Sequence, residues 1–126
     1  MPASYKIDKE RKLVLSTAFD IVIREDILGH QERLSKDPDF DPHFSQLIDF
    51  SDTTQIDITP EDVRLFARRN IFSPDSRRAI VVKDDFQFGL ARMFGIHREL
   101  AGETGIRVFR NMDDAMQWIF PKEAAS

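Results

Sequence analysis

Residues 46–62 read QLIDFSDTTQIDITPED, and three kinds of local structure follow one another in them. Leu47-Ile48-Asp49-Phe50 is a short apolar strand. Ser51 to Ile58 is polar and reads as a loop, and Thr59-Pro60-Glu61-Asp62 has the layout of a helix start. Thr59 can cap, Pro60 fits the first helical position, and two carboxylates complement the positive end of the helix dipole. A strand that passes through a loop into a helix is the repeating unit of an open α/β sheet. Such sheets place binding chemistry at the carboxyl ends of their strands.

The same pattern recurs on both sides. Ala79-Ile80-Val81-Val82 is the most apolar run and the candidate for the sheet centre. A helix is expected from Asp85, with Phe86, Leu90, Met93, Phe94, His97 and Leu100 spaced as one buried stripe. Ile106 to Phe109 is the last strand, and Asn111 caps a final helix carrying Met112, Ala115, Trp118 and Ile119 on one face. Upstream, Ser4–Asp8 and Lys12–Phe19 flank a charged connection of hairpin length and are expected to pair antiparallel at an edge. Arg24 to Lys36 carries a helical spacing of Ile27, His30 or Gln31, and Leu34, and ends before the two prolines of Asp37–Pro42. The expected order is β-β-α-β-α-β-α-β-α. It implies one α/β domain over residues 1–126, a mixed but mostly parallel sheet of about five strands with an antiparallel N-terminal edge hairpin, and four helices. Residues 122–126 are expected to be a loose tail.

Composition narrows the function classes. The 126 residues include no Cys, which removes disulfides, thiol catalysis and thiolate metal sites. Eighteen basic residues against 22 acidic ones give a net charge of −4, scattered along the chain, which disfavours a nucleic-acid or anionic membrane surface. MPASYKIDKE has no apolar segment of the signal-peptide type, so a cytoplasmic location is expected. Eleven Phe against one Trp and one Tyr suggest a core built from plain aromatic rings.

Motifs for chemistry are sparse. His30, His43 and His97 lack the spacing of a metal site, and no metal or cofactor is expected. No glycine-rich phosphate loop follows a strand, and carboxylates at Glu61-Asp62, Asp84-Asp85 and Asp113-Asp114 make three helix starts poor anion sites. No G-x-S-x-G elbow occurs. The arginines Arg68-Arg69, Arg77-Arg78, Arg92, Arg98 and Arg107 read mostly as solvated faces.

With this element order, and with Gln46-Leu47-Ile48-Asp49, Arg78–Val82 and Ile106–Arg110 as its pieces, the chain resembles the STAS domain, and more closely the SpoIIAA-like uncharacterised bacterial proteins. In antagonist members of that family a strand leads through a loop to an Asp-Ser-Ser-Gly type run whose second hydroxyl is phosphorylated by a partner kinase. The resemblance aligns Asp57 with the acid, Ile58 with the first serine, Thr59 with the phosphorylated position and Pro60 with the glycine. Thr59 also has a complete explanation as a helix cap, and Glu61 and Asp62 would repel a phosphate placed on it.

The resemblance implies a non-catalytic protein-interaction or regulatory module, with Ser51, Asp57 and Thr59 as regulatory or partner-binding residues. The partner would be another protein or a second copy, docked on the surface around the Phe50 to Thr59 loop; independently, exposed Phe at Phe40 and Phe44 makes the Asp37–Phe44 loop the expected contact of a homodimer. The alternative is a small apolar or nucleotide-like ligand held in a Phe-rich pocket between helix and sheet, lined by Phe86, Met93, Phe94 and His97.

Overall fold

The computed structural model describes residues 2–121; the tail expected over residues 122–126 lies outside the described residues. Five strands form one sheet in sequence order: β1 (Ala3–Asp8), β2 (Leu13–Ile23), β3 (Ser45–Asp57), β4 (Arg78–Val81) and β5 (Ile106–Phe109). The first pair is antiparallel, from Ala3 opposite Ala18 to Asp8 opposite Leu13, and the remaining pairs are parallel. Helices α1 (Arg24–Ser35), α2 (Pro60–Arg68), α3 (Asp85–Leu100) and α4 (Met112–Ile119) follow β2, β3, β4 and β5. The element order and the edge hairpin match the expectation from sequence. The sheet centre is β3, however; β4 is one place nearer the edge, although all four of its residues are buried.

A sheet laid down in sequence order, with crossovers of one hand, puts every connecting helix on the same face. Here α1 packs Leu34 against Val14, α3 packs Ala91 against Ile80 and Val82, and α2 turns Val63 and Phe66 toward that side. The opposite face carries Leu13, Leu47, Ala79 and Val81, one register position away from the first set. Among the described residues, the helix that covers it is α4, through Ala115 and Ile119. Trp118 anchors this helix: its backbone carbonyl accepts from Arg77 Nη1 at 2.8 Å, and the Arg77 and Arg107 guanidinium groups lie 5.5 and 5.7 Å from its ring.

The largest departure from expectation is the length of β3. Residues 51–57, read from sequence as a polar loop, are strand, and they pair with an equally prolonged β2 as far as Ile23 opposite Asp57. The β-branched residues Thr53, Thr54 and Ile56 favour an extended backbone, and Thr53 is completely buried. Its hydroxyl donates to the Phe50 carbonyl at 2.7 Å and accepts from Gln87 Nε2 at 2.9 Å, so its burial leaves nothing unpaired. Two bulges absorb the twist of the long pair, and Asp20, with φ of 56°, sits at one of them.

Helix starts are capped as the sequence implies. Thr59 Oγ1 accepts from Asp62 N at 3.1 Å, and the Asp62 carboxylate accepts from Thr59 N at 3.0 Å, a reciprocal capping box. Asp84 and Asn111 cap α3 and α4 through Gln87 N and Asp114 N. At the far end of α3, Gly102 has φ of +100°, a left-handed conformation that side chains disfavour, and it turns the chain so that Glu103 N meets Arg98 O at 2.9 Å. That turn delivers the Glu103 carboxylate to the interior.

Candidate functional site

Between the sheet and α1, α2 and α3 lies a cavity of about 120 Å³. Its wall is mostly carbon: Ile48, Ile80 and Val82 from the sheet, Ile27 from α1, Phe66 from α2, and Leu90 and Phe94 from α3. Polar residues stand at its margins. Gln87 marks one end with the Thr53 contact; Ser16, His30, Gln46 and Arg78 mark the other.

The second margin is a continuous hydrogen-bonded chain. Glu103 is 1 % exposed and accepts from Arg78 Nη1 at 3.1 Å and from Arg98 Nε at 2.7 Å. Arg78 also gives Nη1 to Asn70 Oδ1 at 2.7 Å and Nε to Gln46 Oε1 at 3.0 Å. Arginine can only donate, so this last contact fixes the Gln46 amide and points its Nε2 at Ser16 Oγ, 3.1 Å away. Ser16 Oγ in turn lies 2.9 Å from His30 Nε2. The Arg78 guanidinium also lies 4.4 Å from the centre of the Phe72 ring and 5.3 Å from that of Phe94. Burial lowers the Arg78 pKa, while Glu103 opposes that shift and keeps the charge matched.

His30 is neutral in this setting. Burial first, then the positive groups of Arg33 and Arg78, push its pKa down to about 4. An imidazole so perturbed is a weak base, so the Ser16–His30 contact is suited to a fixed hydrogen bond rather than to drawing a proton from the serine.

The residues expected from sequence fall in different places. Ser51 is exposed, and both its N and its Oγ bond Asp49 Oδ1, at 2.9 and 2.6 Å. Asp57 is exposed at the end of β3 and accepts from Gln55 Nε2 at 2.7 Å. A strand rise of about 3.3 Å per residue puts Ser51 about 20 Å from Asp57, so the two do not share a site. Thr59 is occupied as the cap of α2. Thr59→Ala should cost about 1 kcal/mol in urea denaturation, with Thr59→Ser retaining most of the stability; an unchanged midpoint for the alanine variant would contradict the capping role.

Of the expected pocket residues, Phe94 lines the cavity, while Phe86, Met93 and His97 are not among the lining side chains. Phe86 points to solvent at 60 % exposure, and Leu100 does so too. The inward stripe of α3 runs through Gln87, Ala91 and Phe94. Phe40 and Phe44, expected to offer an exposed dimer contact, pack instead into the cluster of Val14, Leu34 and Phe72, with the Phe40 and Phe72 rings edge to face at 5.2 Å. Arg78 and Arg98, read as solvated, carry the buried ion network. No pattern in sequence announces Glu103 as their partner, because 25 residues separate it from Arg78.

Among the described residues no group of three or more His, Cys, Asp or Glu side chains could hold a metal ion, and no helix is long and apolar enough to cross a membrane. No family model matches the chain, and no curated protein matches it. Among solved structures it is similar to an uncharacterised DUF3478-family protein from Shewanella loihica PV-4, with 16 % identity, a TM-score of 0.60 and 93 % of each chain covered. That protein is described as having a SpoIIAA-like fold, and the likeness, together with the five-stranded mixed sheet and four helices, gives this chain the SpoIIAA-like fold.

Proposed function

We propose that this chain is a non-catalytic, cytoplasmic regulatory module whose receptor site is the cavity between the sheet and α1–α3, and whose ligand is small and largely apolar. The observation that carries this reading is a carbon-lined space of about 120 Å³ between the sheet and the three helices. A space of that size suits a single ring and is too small for a nucleotide, which narrows the ligand class to compact apolar molecules. Such a ligand would touch α1, α2, α3 and the sheet together. Its occupancy would tighten α2 against β3, next to the Thr59 junction, where a protein partner could sense it.

Thermal denaturation in the presence of toluene or cyclohexane tests the proposal. The midpoint should climb with ligand concentration, approaching about 2.7 kcal/mol of stabilisation at one hundred times Kd, and amide NMR signals of Ile48, Ala91 and Phe94 should move. No midpoint gain and no movement of those signals with either compound would rule the receptor site out.

A second reading, a module that binds a protein directly, is favoured by one further observation. Phe19, Ile21 and Ile23 alternate along the extension of β2 and point outward, with Ile21 51 % exposed, while Val22 between them is fully buried. Ile21→Lys should leave the denaturation midpoint within about 0.5 kcal/mol of the parent and abolish co-purification of such a partner. Retention of the partner by this variant would remove the stripe from consideration.

A further inference from the structure

Pairing of β1 with β2 ends at Ala18, and pairing of β4 with β3 ends at Asp49, so residues 19–23 and 50–57 run on as a two-stranded ribbon past the end of the sheet. Val22 is fully buried, and its cross-strand neighbour Ile56 lines the space beneath α1–α3. Side chains alternate along a strand, so Ile21 and Ile23 of β2 and Gln55 and Asp57 of β3 face the opposite way. Phe19 and Asp52 join them, because Asp52 alternates with the buried Thr53, which reaches Gln87 on α3. This is the side of the sheet that α4 covers over Leu13 and Leu47. Along the ribbon it continues as a bare apolar stripe, with Phe19, Ile21 and Ile23 at 36, 51 and 41 % exposure.

The surroundings of the stripe are acidic. β2 and β3 contain Asp20, Asp49, Asp52 and Asp57 and no Lys or Arg. Asp52 lies opposite Phe19 and Asp57 opposite Ile23, both exposed, so a carboxylate flanks each end of the stripe. Each helix starts where a strand ends, and Glu25-Asp26, Glu61-Asp62, Asp85 and Asp113-Asp114 therefore gather at the same end of the sheet. Arg24 there is engaged by Glu25 and Asp62, and Arg110 by Asp85, which leaves Lys83 as the other cation where strands pass into helices. A second copy would bring the same carboxylates against these. Strand addition is also disfavoured: the left-handed Asp20 breaks the line of the β2 edge, and Ile23 N is already held by Asp26 Oδ2 at 2.9 Å.

Building on the stripe reading above, we propose that the ribbon seats a basic amphipathic helix of a partner protein. The helix lies on the bare face beyond α4, its apolar side on Phe19, Ile21 and Ile23 and its Lys or Arg side chains over Asp52 and Asp57. The stripe is about 13 Å long, the length of about nine helical residues. Apolar contact holds the helix, and the carboxylates select its charge.

The test titrates the intact protein with three synthetic peptides, followed through the amide signals of Ile21, Ile23 and Gln55. One is two heptads of Leu-Lys-Lys-Leu-Leu-Lys-Leu; the others carry Gln or Glu in place of every Lys. The Lys peptide should move these signals and bind about tenfold more tightly than the Gln peptide, with the Glu peptide weakest. High salt should remove most of that advantage. The double variant Asp52→Asn with Asp57→Asn, both at exposed positions, should weaken the Lys peptide at least about threefold and leave the Gln peptide unchanged. Ile21→Lys should abolish binding of both. Equal binding of the Lys and Gln peptides at the stripe overturns the basic partner and leaves the stripe as a docking surface. Lys-peptide binding that survives Ile21→Lys would show attraction to the acidic end at large, and this overturns the proposal too. So does a dimer in sedimentation that Ile21→Lys dissolves, since the stripe would then belong to a second copy. If no peptide moves the Ile21 signal, the stripe reading falls together with the proposal. The peptide series on the parent decides the matter even if a variant does not fold.

Discussion

Replacing Glu103 by alanine should destabilise the protein by about 3–5 kcal/mol, the cost of removing one partner from a buried ion pair. The carboxylate is 0 % exposed at its side chain and is shared by two guanidinium groups, those of Arg78 at 6 % and Arg98 at 13 %. Its loss strands two largely buried positive charges, and the remaining side-chain partners of Arg78, Gln46 and Asn70, carry no charge to offset its own. Glu103→Gln, which preserves shape but not charge, should recover only part of the loss. The double variant Glu103→Leu with Arg78→Met should recover more, since a buried pair replaced by apolar residues of similar volume is often neutral. Urea denaturation of the three variants checks the order. A Glu103→Ala loss under about 1 kcal/mol would mean that water reaches the pair and that the chain from Glu103 to His30 is not a dry network.

The second large effect is a dependence of stability on pH that belongs to His30. Its pKa in the folded protein is about 4, against 6.5 for the unperturbed group. Between those two values the unfolded chain binds the additional proton and the folded one does not. Stability therefore rises with pH across this window, is fully present above pH 6.5, and is lost as pH falls toward 4. The shift of about 2.5 units corresponds to about 3 kcal/mol. Carboxylates titrate near the lower end of the window, so the parent must be compared with His30→Gln, which does not titrate. The difference in unfolding free energy between the two should shrink steadily from pH 7 to pH 4.5 as the parent loses its advantage. Parallel curves would show that His30 is protonated as readily in the folded protein as in the unfolded chain.

Both effects arise from residues that hydrophobic patterning does not detect. Strand and helix order could be read because caps and breakers stand at the boundaries: Thr59-Pro60 before α2, Asp84 before α3, Asn111 before α4. The length of β3 could not be read from apolar content, since Ser51 to Asp57 offers Ile56 as its single aliphatic residue. Its better signal is the β-branched content of Thr53, Thr54 and Ile56 in a segment without Gly or Pro, set against the turn-forming Ser51, Asp52 and Asp57. The phase of α3 was ambiguous for the opposite reason. Phe86, Phe88, Leu90, Met93, Phe94, Ile96 and Leu100 place apolar residues around most of the helix, so spacing alone does not choose the buried stripe. Thr53 chooses it, by requiring Gln87 as a partner, and that turns Phe86 outward.

The cavity was legible only in part. Phe94 follows from the apolar spacing of α3, but Gln31 and Ser16 derive their importance from neighbours far away in the chain. Gln31 is held by Phe66, 35 residues distant, and Ser16 by Gln46, 30 residues distant. A polar side chain on a half-apolar helix has the same appearance in sequence whether it faces water or completes an interior network.

The unequal covering of the sheet affects how the chain can be made. Three helices reach one face as each strand is completed, so that side can be sealed progressively during synthesis. The other face, with Leu13, Leu47, Ala79 and Val81, has no cover until the ribosome has released residues 112–119. At about 5–20 residues per second, the interval between Leu13 and Ile119 lasts from roughly five to twenty seconds. Throughout it a growing strip of aliphatic surface is open to other nascent chains. Chaperone dependence of expression should therefore follow the strength of α4 docking, and weakening Trp118 should lower the yield of native protein more than it lowers the stability of the molecules that do fold.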